Sequence, residues 1–125
     1  MSRRRRVVVA ILAASGVALI PMLAQAHAAL VRSEPARRAT LSKPPTQIRL
    51  WFNERLEPAY ASIKLFGADG TKQIETRNAA VDAADPKLLV LELPPLAPGQ
   101  YTVKYRVLSV DGHTVDYGYT FTIKP

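Results

Sequence analysis

From Gln100 to Val110 the chain alternates, with Tyr101, Val103, Tyr105 and Val107 in one phase and Gln100, Thr102, Lys104 and Arg106 in the other. A period of two sends the two sets to opposite faces of an extended strand, and a helix would scatter them around its axis. Gln47–Phe52 repeats the pattern with Ile48, Leu50 and Phe52 in phase, and Tyr119, Phe121 and Ile123 repeat it near the end of the chain. Ala61–Phe66 is a further strand candidate, and Gly67-Ala68-Asp69-Gly70 reads as a hairpin turn leading into Thr71–Thr76. Leu88–Leu93 is a short apolar run suited to a buried strand. Pro35, Pro44, Pro45, Pro58, Pro86, Pro94, Pro95 and Pro98 occupy the gaps, as expected of a residue that cannot donate to a ladder. Helical periodicity is weak after residue 30. The pattern predicts an all-β chain folded as an antiparallel sandwich.

Leu96-Ala97-Pro98-Gly99-Gln100-Tyr101 resembles the tyrosine corner of Greek-key, immunoglobulin-like sandwiches, in which the phenol hydroxyl bonds back to an upstream backbone group. Tyr101 is therefore expected to be structural. Trp51 is the sole tryptophan. Strict alternation turns it away from Ile48 and Phe52, but the expectation is that a local twist packs it into the core or between the sheets.

The first 26 residues read as a secretory signal peptide. Arg3–Arg6 form a basic start, Val7–Leu23 is mostly apolar, and Ala24-Gln25-Ala26 is a small-x-small cleavage site. The rival reading is an uncleaved membrane anchor, which the break at Pro21 and the cleavage site disfavour. The paired arginines after Ser2 also allow twin-arginine export. Cleavage after Ala26 leaves residues 27–125 as one domain, expected in the periplasm or otherwise outside the cytoplasm. Four of the seventeen Lys and Arg residues leave with the leader, so the formal charge falls from +7 to +3. The remaining basic residues are scattered, which argues against a nucleic-acid partner. The chain has no cysteine, and its two methionines, Met1 and Met22, lie in the leader. Residues 27–125 therefore offer a metal no soft ligand.

His27 follows the cleavage site directly. A histidine at a free N-terminus presents its α-amine and its nearer ring nitrogen, which close a six-membered chelate around a metal. An internal histidine lacks the amine. The second histidine lies in Ser109-Val110-Asp111-Gly112-His113. Asp111 and His113 are two apart, so in extended chain they point the same way and continue the phase of Tyr101–Val107. Gly112 between them permits a sharp turn. Glu54 continues the phase of Ile48, Leu50 and Phe52 and is placed to project from the mouth of the sandwich. Nitrogen and carboxylate donors without sulfur suit tetragonal Cu(II), and Zn(II) accepts the same set. The competing reading is an ordinary Asp-Gly-His turn, with Asp111 bonding local amides.

Five stretches carry a resemblance. They are His27-Ala28, Ser33-x-Pro35-Ala36, Phe52-Asn53-Glu54-x-Leu56-Glu57-Pro58, Leu96-x-Pro98-Gly99-x-Tyr101-x-Val103 and Ser109-x-Asp111-Gly112-His113-x4-Gly118-x2-Phe121. Together, and in this order, they resemble the CopC family of periplasmic copper-resistance proteins. The resemblance implies a cupredoxin-like β-sandwich binding one Cu(II) per mature chain through His27, Asp111 and His113, with Glu54 near the metal. It also implies a non-enzymatic, monomeric protein that sequesters copper or hands it on, and an inner-membrane CopD-like transporter as partner. Some members carry a Met-rich Cu(I) loop. This chain has no Met there, so a second, Cu(I) site is not expected. Two other classes compete with this reading. One is a metal-free immunoglobulin-like interaction module. The other is a copper oxidase of the polysaccharide-monooxygenase type, whose open copper position Asp111 and Glu54 would crowd.

Overall fold

A computed structural model describes Gly16 and residues 28–125, so the signal-peptide reading of residues 1–26 and the placement of His27 lie outside the described residues. The strands are β1 (Leu30–Glu34), β2 (Thr40–Leu41), β3 (Gln47–Phe52), β4 (Ser62–Phe66), β5 (Gln73–Ile74), β6 (Ala80–Val81), β7 (Leu88–Glu92), β8 (Gly99–Leu108) and β9 (Thr114–Ile123). They form a four-stranded sheet in the order β1-β3-β7-β6 and a five-stranded sheet in the order β2-β9-β8-β4-β5. The chain crosses between sheets from β1 to β2 and back to β3, and again between β3 and β4, which makes a sandwich of the expected class.

Alternation builds the core directly. Ile48, Leu50 and Phe52 from β3 and Leu89 and Leu91 from β7 face Tyr101, Val103, Tyr105 and Val107 from β8 and Tyr119, Phe121 and Ile123 from β9, and all are buried. Fully burying one such aliphatic side chain contributes about 1.5–3 kcal/mol. Phe52 meets Tyr105 edge-on across the two sheets, with ring centroids 5.6 Å apart. Tyr101 stacks on Phe121 at 5.4 Å.

The tyrosine corner is present. The Tyr101 hydroxyl donates to the Ala97 carbonyl at 2.6 Å. Tyr101→Phe keeps the ring and removes this bond, so it is expected to lower stability by about 1 kcal/mol. A urea unfolding midpoint that falls at unchanged slope would show this.

Two features differ from the sequence expectation. First, β2 pairs with β9 in parallel, Thr40 with Thr122 and Leu41 with Ile123. It arrives from the opposite sheet and covers the open edge of β9, where Thr122 and Lys124 donate to the Ala39 and Leu41 carbonyls at 2.8 Å. Covering an edge removes a template for wrong pairing. Second, Trp51 is not in the core. It keeps the strict alternation and faces outward over Leu88, its register partner on β7. The Arg32 and Arg49 guanidinium carbons lie 4.6 and 4.9 Å from its ring centroid. The two guanidinium groups over its ring give the indole partners outside the core, so no twist is needed.

Candidate metal centre

Strand β8 ends at Leu108 and β9 begins at Thr114, so Ser109–His113 is the turn of the longest hairpin. Ser109 is the last residue in the inward phase and is fully buried. Its amide donates to the His113 carbonyl at 3.0 Å, and the Gly112 amide donates to the Ser109 carbonyl at 3.0 Å. Gly112 has φ +92°, a conformation that a side chain would strain. The backbone thus folds back between Asp111 and His113, and the pair sits on the turn rather than prolonging the strand.

The fold-back still points the two side chains together. His113 Nδ1 lies 3.2 Å from Asp111 Oδ1, and the side chains are 42 % and 33 % exposed. Two donors each about 2 Å from one metal, at right angles to each other, stand about 3 Å apart. The pair therefore has the spacing of adjacent ligands at an accessible place. The Ser109 hydroxyl donates to the same Asp111 oxygen. That bond, followed by those from His113, holds the Asp111 carboxyl below the usual carboxylate range, against the opposing effect of desolvation. The His113 amide also points at Asp111 Oδ1, at 3.3 Å. Asp111 is thus both a brace for the turn and an ionised oxygen donor.

Two other segments reach this end of the sandwich. Ala28 is buried in the core cluster. Ala29 donates to Asn53 Oδ1 at 2.7 Å, and the Asn53 amide donates to the Ala29 carbonyl at 3.0 Å. This two-way clamp fixes the start of the described domain beside the end of β3. A shallow cleft brings Ala28 and Ala29 together with Thr114 and Tyr117, just past the turn. Leu56 bridges to Ser109, and the Glu57 amide donates to the Leu108 carbonyl at 3.0 Å. Residues 28–29, 53–57 and 108–114 are therefore tied into one corner.

Glu54 lies in the middle segment and is half-buried. Its Oε2 is shielded from solvent and has no hydrogen-bond partner among the described residues. A shielded carboxylate oxygen is costly without a donor or cation. Asp111 and His113 meet directly, but among the described residues no group of three or more His, Cys, Asp or Glu side chains is arranged to hold a metal. Asn53 and Ser109 are the residues whose roles sequence reasoning missed. Their signal was chemical, since Asn and Ser beside turns bond local backbone and side chains.

The CopC domain model matches residues 30–124. The chain belongs to the CopC family. Its fold superposes on the crystal structure of CopC from Methylosinus trichosporium OB3b with TM-score 0.74 and 39 % identity, over 79 % of this chain and 95 % of that one. PcoC of Escherichia coli, described as a methionine-rich copper resistance protein, gives TM-score 0.69 and 33 % identity over 79 % and 100 % of the two chains. Copper resistance protein C of Pseudomonas syringae pv. tomato is 36 % identical over 112 residues, covering 85 % of this chain and 87 % of its own. In this CopC chain the methionine-rich character is missing, since residues 27–125 contain no Met.

Proposed function

We propose that residues 27–125 are an exported Cu(II)-binding protein that sequesters one copper ion or hands it on. CopC-family membership supports copper as the cargo. The observation that carries the reading is the Asp111–His113 pair, an imidazole nitrogen and a carboxylate oxygen at 3.2 Å on an accessible turn. Two features support the rest of the ligand set. Ala28, the residue that follows His27, is anchored at the same corner, and Glu54, in the 53–57 segment tied to it, has a shielded oxygen with no hydrogen-bond partner among the described residues. Cleavage after Ala26 would free the His27 amine and complete a nitrogen-rich set with His113 and Asp111, with Glu54 close by. Such a site would bind rather than catalyse, because Asp111 and Glu54 would crowd the open metal position that a substrate needs. The domain acts as a monomer outside the cytoplasm, with an inner-membrane copper transporter of the CopD type as its partner.

The test is the intact mass of the exported protein with and without one equivalent of Cu(II), followed by competition titrations in both oxidation states. The expected result is a chain starting at His27 that takes one Cu(II). Without Cys or Met, it should bind Cu(I) far more weakly than Cu(II). Tight Cu(I) binding under reducing conditions would overturn the oxidation-state assignment. A metal-free mass at equimolar Cu(II) would overturn the copper reading.

A further inference from the structure

The outer face of the five-stranded sheet carries charges that the fold does not need. Lys64 on β4 stands directly opposite Lys104 on β8, and Arg106 follows opposite Ser62. Like charges directly opposite on neighbouring strands oppose pairing. The compensation is partial. Asp116 on β9 stands opposite Arg106, and the Lys104 ammonium rests 4.6 Å from the Phe66 ring centroid. The β9 position opposite Lys104 is Gly118. A Cβ there would come within 2.7 Å of the Val103 carbonyl oxygen. No carboxylate can stand at that position unless the strands shift, so the one β9 acid near Lys104 is the diagonal Asp116, which already stands opposite Arg106 and lines the same cleft. Two shallow clefts run along this face. One contains Lys64, Phe66 and Lys104, the other reaches Leu108 and Thr114, and they share Ser62 and Arg106. The second ends where the Ser109–His113 turn begins.

We propose that this face docks an acidic segment of a partner protein, whose Asp or Glu side chains pair with Lys64, Lys104 and Arg106 while an apolar stem lies on Phe66. The argument is charge complementarity combined with shape. Asp116 among the basic groups repels a continuous negative plane such as a bilayer surface. Separate carboxylates along an extended peptide step past it. The clefts are concave, which suits side chains rather than a plane. A partner held here has its neighbouring residues beside the metal-bearing turn. The face exists without metal, so its test uses apo-protein and is independent of the copper reading.

The experiment measures fluorescence anisotropy of a labelled oligoglutamate peptide on the exported apo-protein at about 0.01 M ionic strength, where the screening length is about 30 Å. The parent should bind, and Lys64→Glu/Lys104→Glu should weaken binding by about tenfold or more, as expected when like charges are juxtaposed. Lys43→Glu/Lys87→Glu, with the same change of net charge away from this face, should keep binding near the parent value. Lys64→Glu alone creates an opposite-charge pair with Lys104, so it should raise the thermal midpoint while weakening the peptide complex. That combination excludes unfolding as the cause of lost binding. The proposal is overturned if the parent does not bind the peptide, or if both double variants lose binding equally. It is also overturned if phosphatidylglycerol vesicles bind more tightly than the peptide and are released by the same reversals.

Discussion

One residue added ahead of His27 in the mature protein will weaken Cu(II) binding by at least about a hundredfold. Even partners that merely orient a ligand are worth roughly 10–100-fold in metal affinity, and on the proposed ligand set the extension removes a ligand outright. It turns the α-amine into an amide, whose lone pair is delocalised into the carbonyl, and opens the six-membered chelate. The chain cannot recover by sliding. Ala28 is buried, and Ala29 is held in both directions by Asn53. A shift of one residue would expel the Ala28 methyl from the core and break the clamp. The measurement is a competition titration of the native and extended forms against one Cu(II) chelator. Equal affinities would show that the terminal amine is not a ligand.

His113→Ala will abolish most of the stabilisation that copper confers while leaving the apo-domain folded. The turn is held by main-chain bonds from Ser109 and Gly112, neither of which uses the imidazole. A ligand at a hundred times its Kd stabilises the native state by about 2.7 kcal/mol. For a domain of this size each kcal/mol moves the midpoint by roughly 4–8 °C. Copper should thus raise the parent Tm by about 10–20 °C and leave the variant nearly unmoved. Asp111→Ala should fall between in copper response and should also lower the apo Tm, because Asp111 accepts from Ser109 and from the His113 amide. A variant lacking His113 that gains as much from copper as the parent would return Asp-Gly-His to the status of a plain turn.

The parts of this fold that sequence made legible are those governed by local alternation. Gln47–Phe52 is β3 to the residue, and the in-phase residues of β8 and β9 face the core. What escaped was non-local or too short to show a period. β2 and β6 have two residues each, and β2 is defined by a parallel partner more than eighty residues away. β1 was missed because its pairing with β3 shifts register between Leu30 and Arg32, leaving Val31 exposed and breaking the alternation. Trp51 was misplaced by giving residue type priority over phase. Its neighbours, two arginines and Leu88, could not be known before strand pairing. At the Ser109–His113 turn the spacing of Asp111 and His113 predicted two side chains pointing the same way in extended chain, and in the structure the two side chains meet at 3.2 Å. The cause is a glycine-permitted turn rather than an extended strand, so the same outcome arises from different backbone geometry.

The knotting together of residues 28–29, 53–57 and 108–114 has a consequence for how such a protein can change. Most of its ties are peptide groups, in the bond from the Asn53 amide to the Ala29 carbonyl, the Leu56–Ser109 bridge and the bond from the Glu57 amide to the Leu108 carbonyl, and the Asn53 side chain adds its Oδ1 as acceptor for Ala29. Peptide groups are indifferent to the side chains they carry. Donor atoms at positions 54 and 113 can therefore be exchanged for others without dismantling the frame that presents them. On the proposed ligand set the corner is, in evolutionary terms, a socket, able to drift from one metal to another through single substitutions while the sandwich beneath it stays the same.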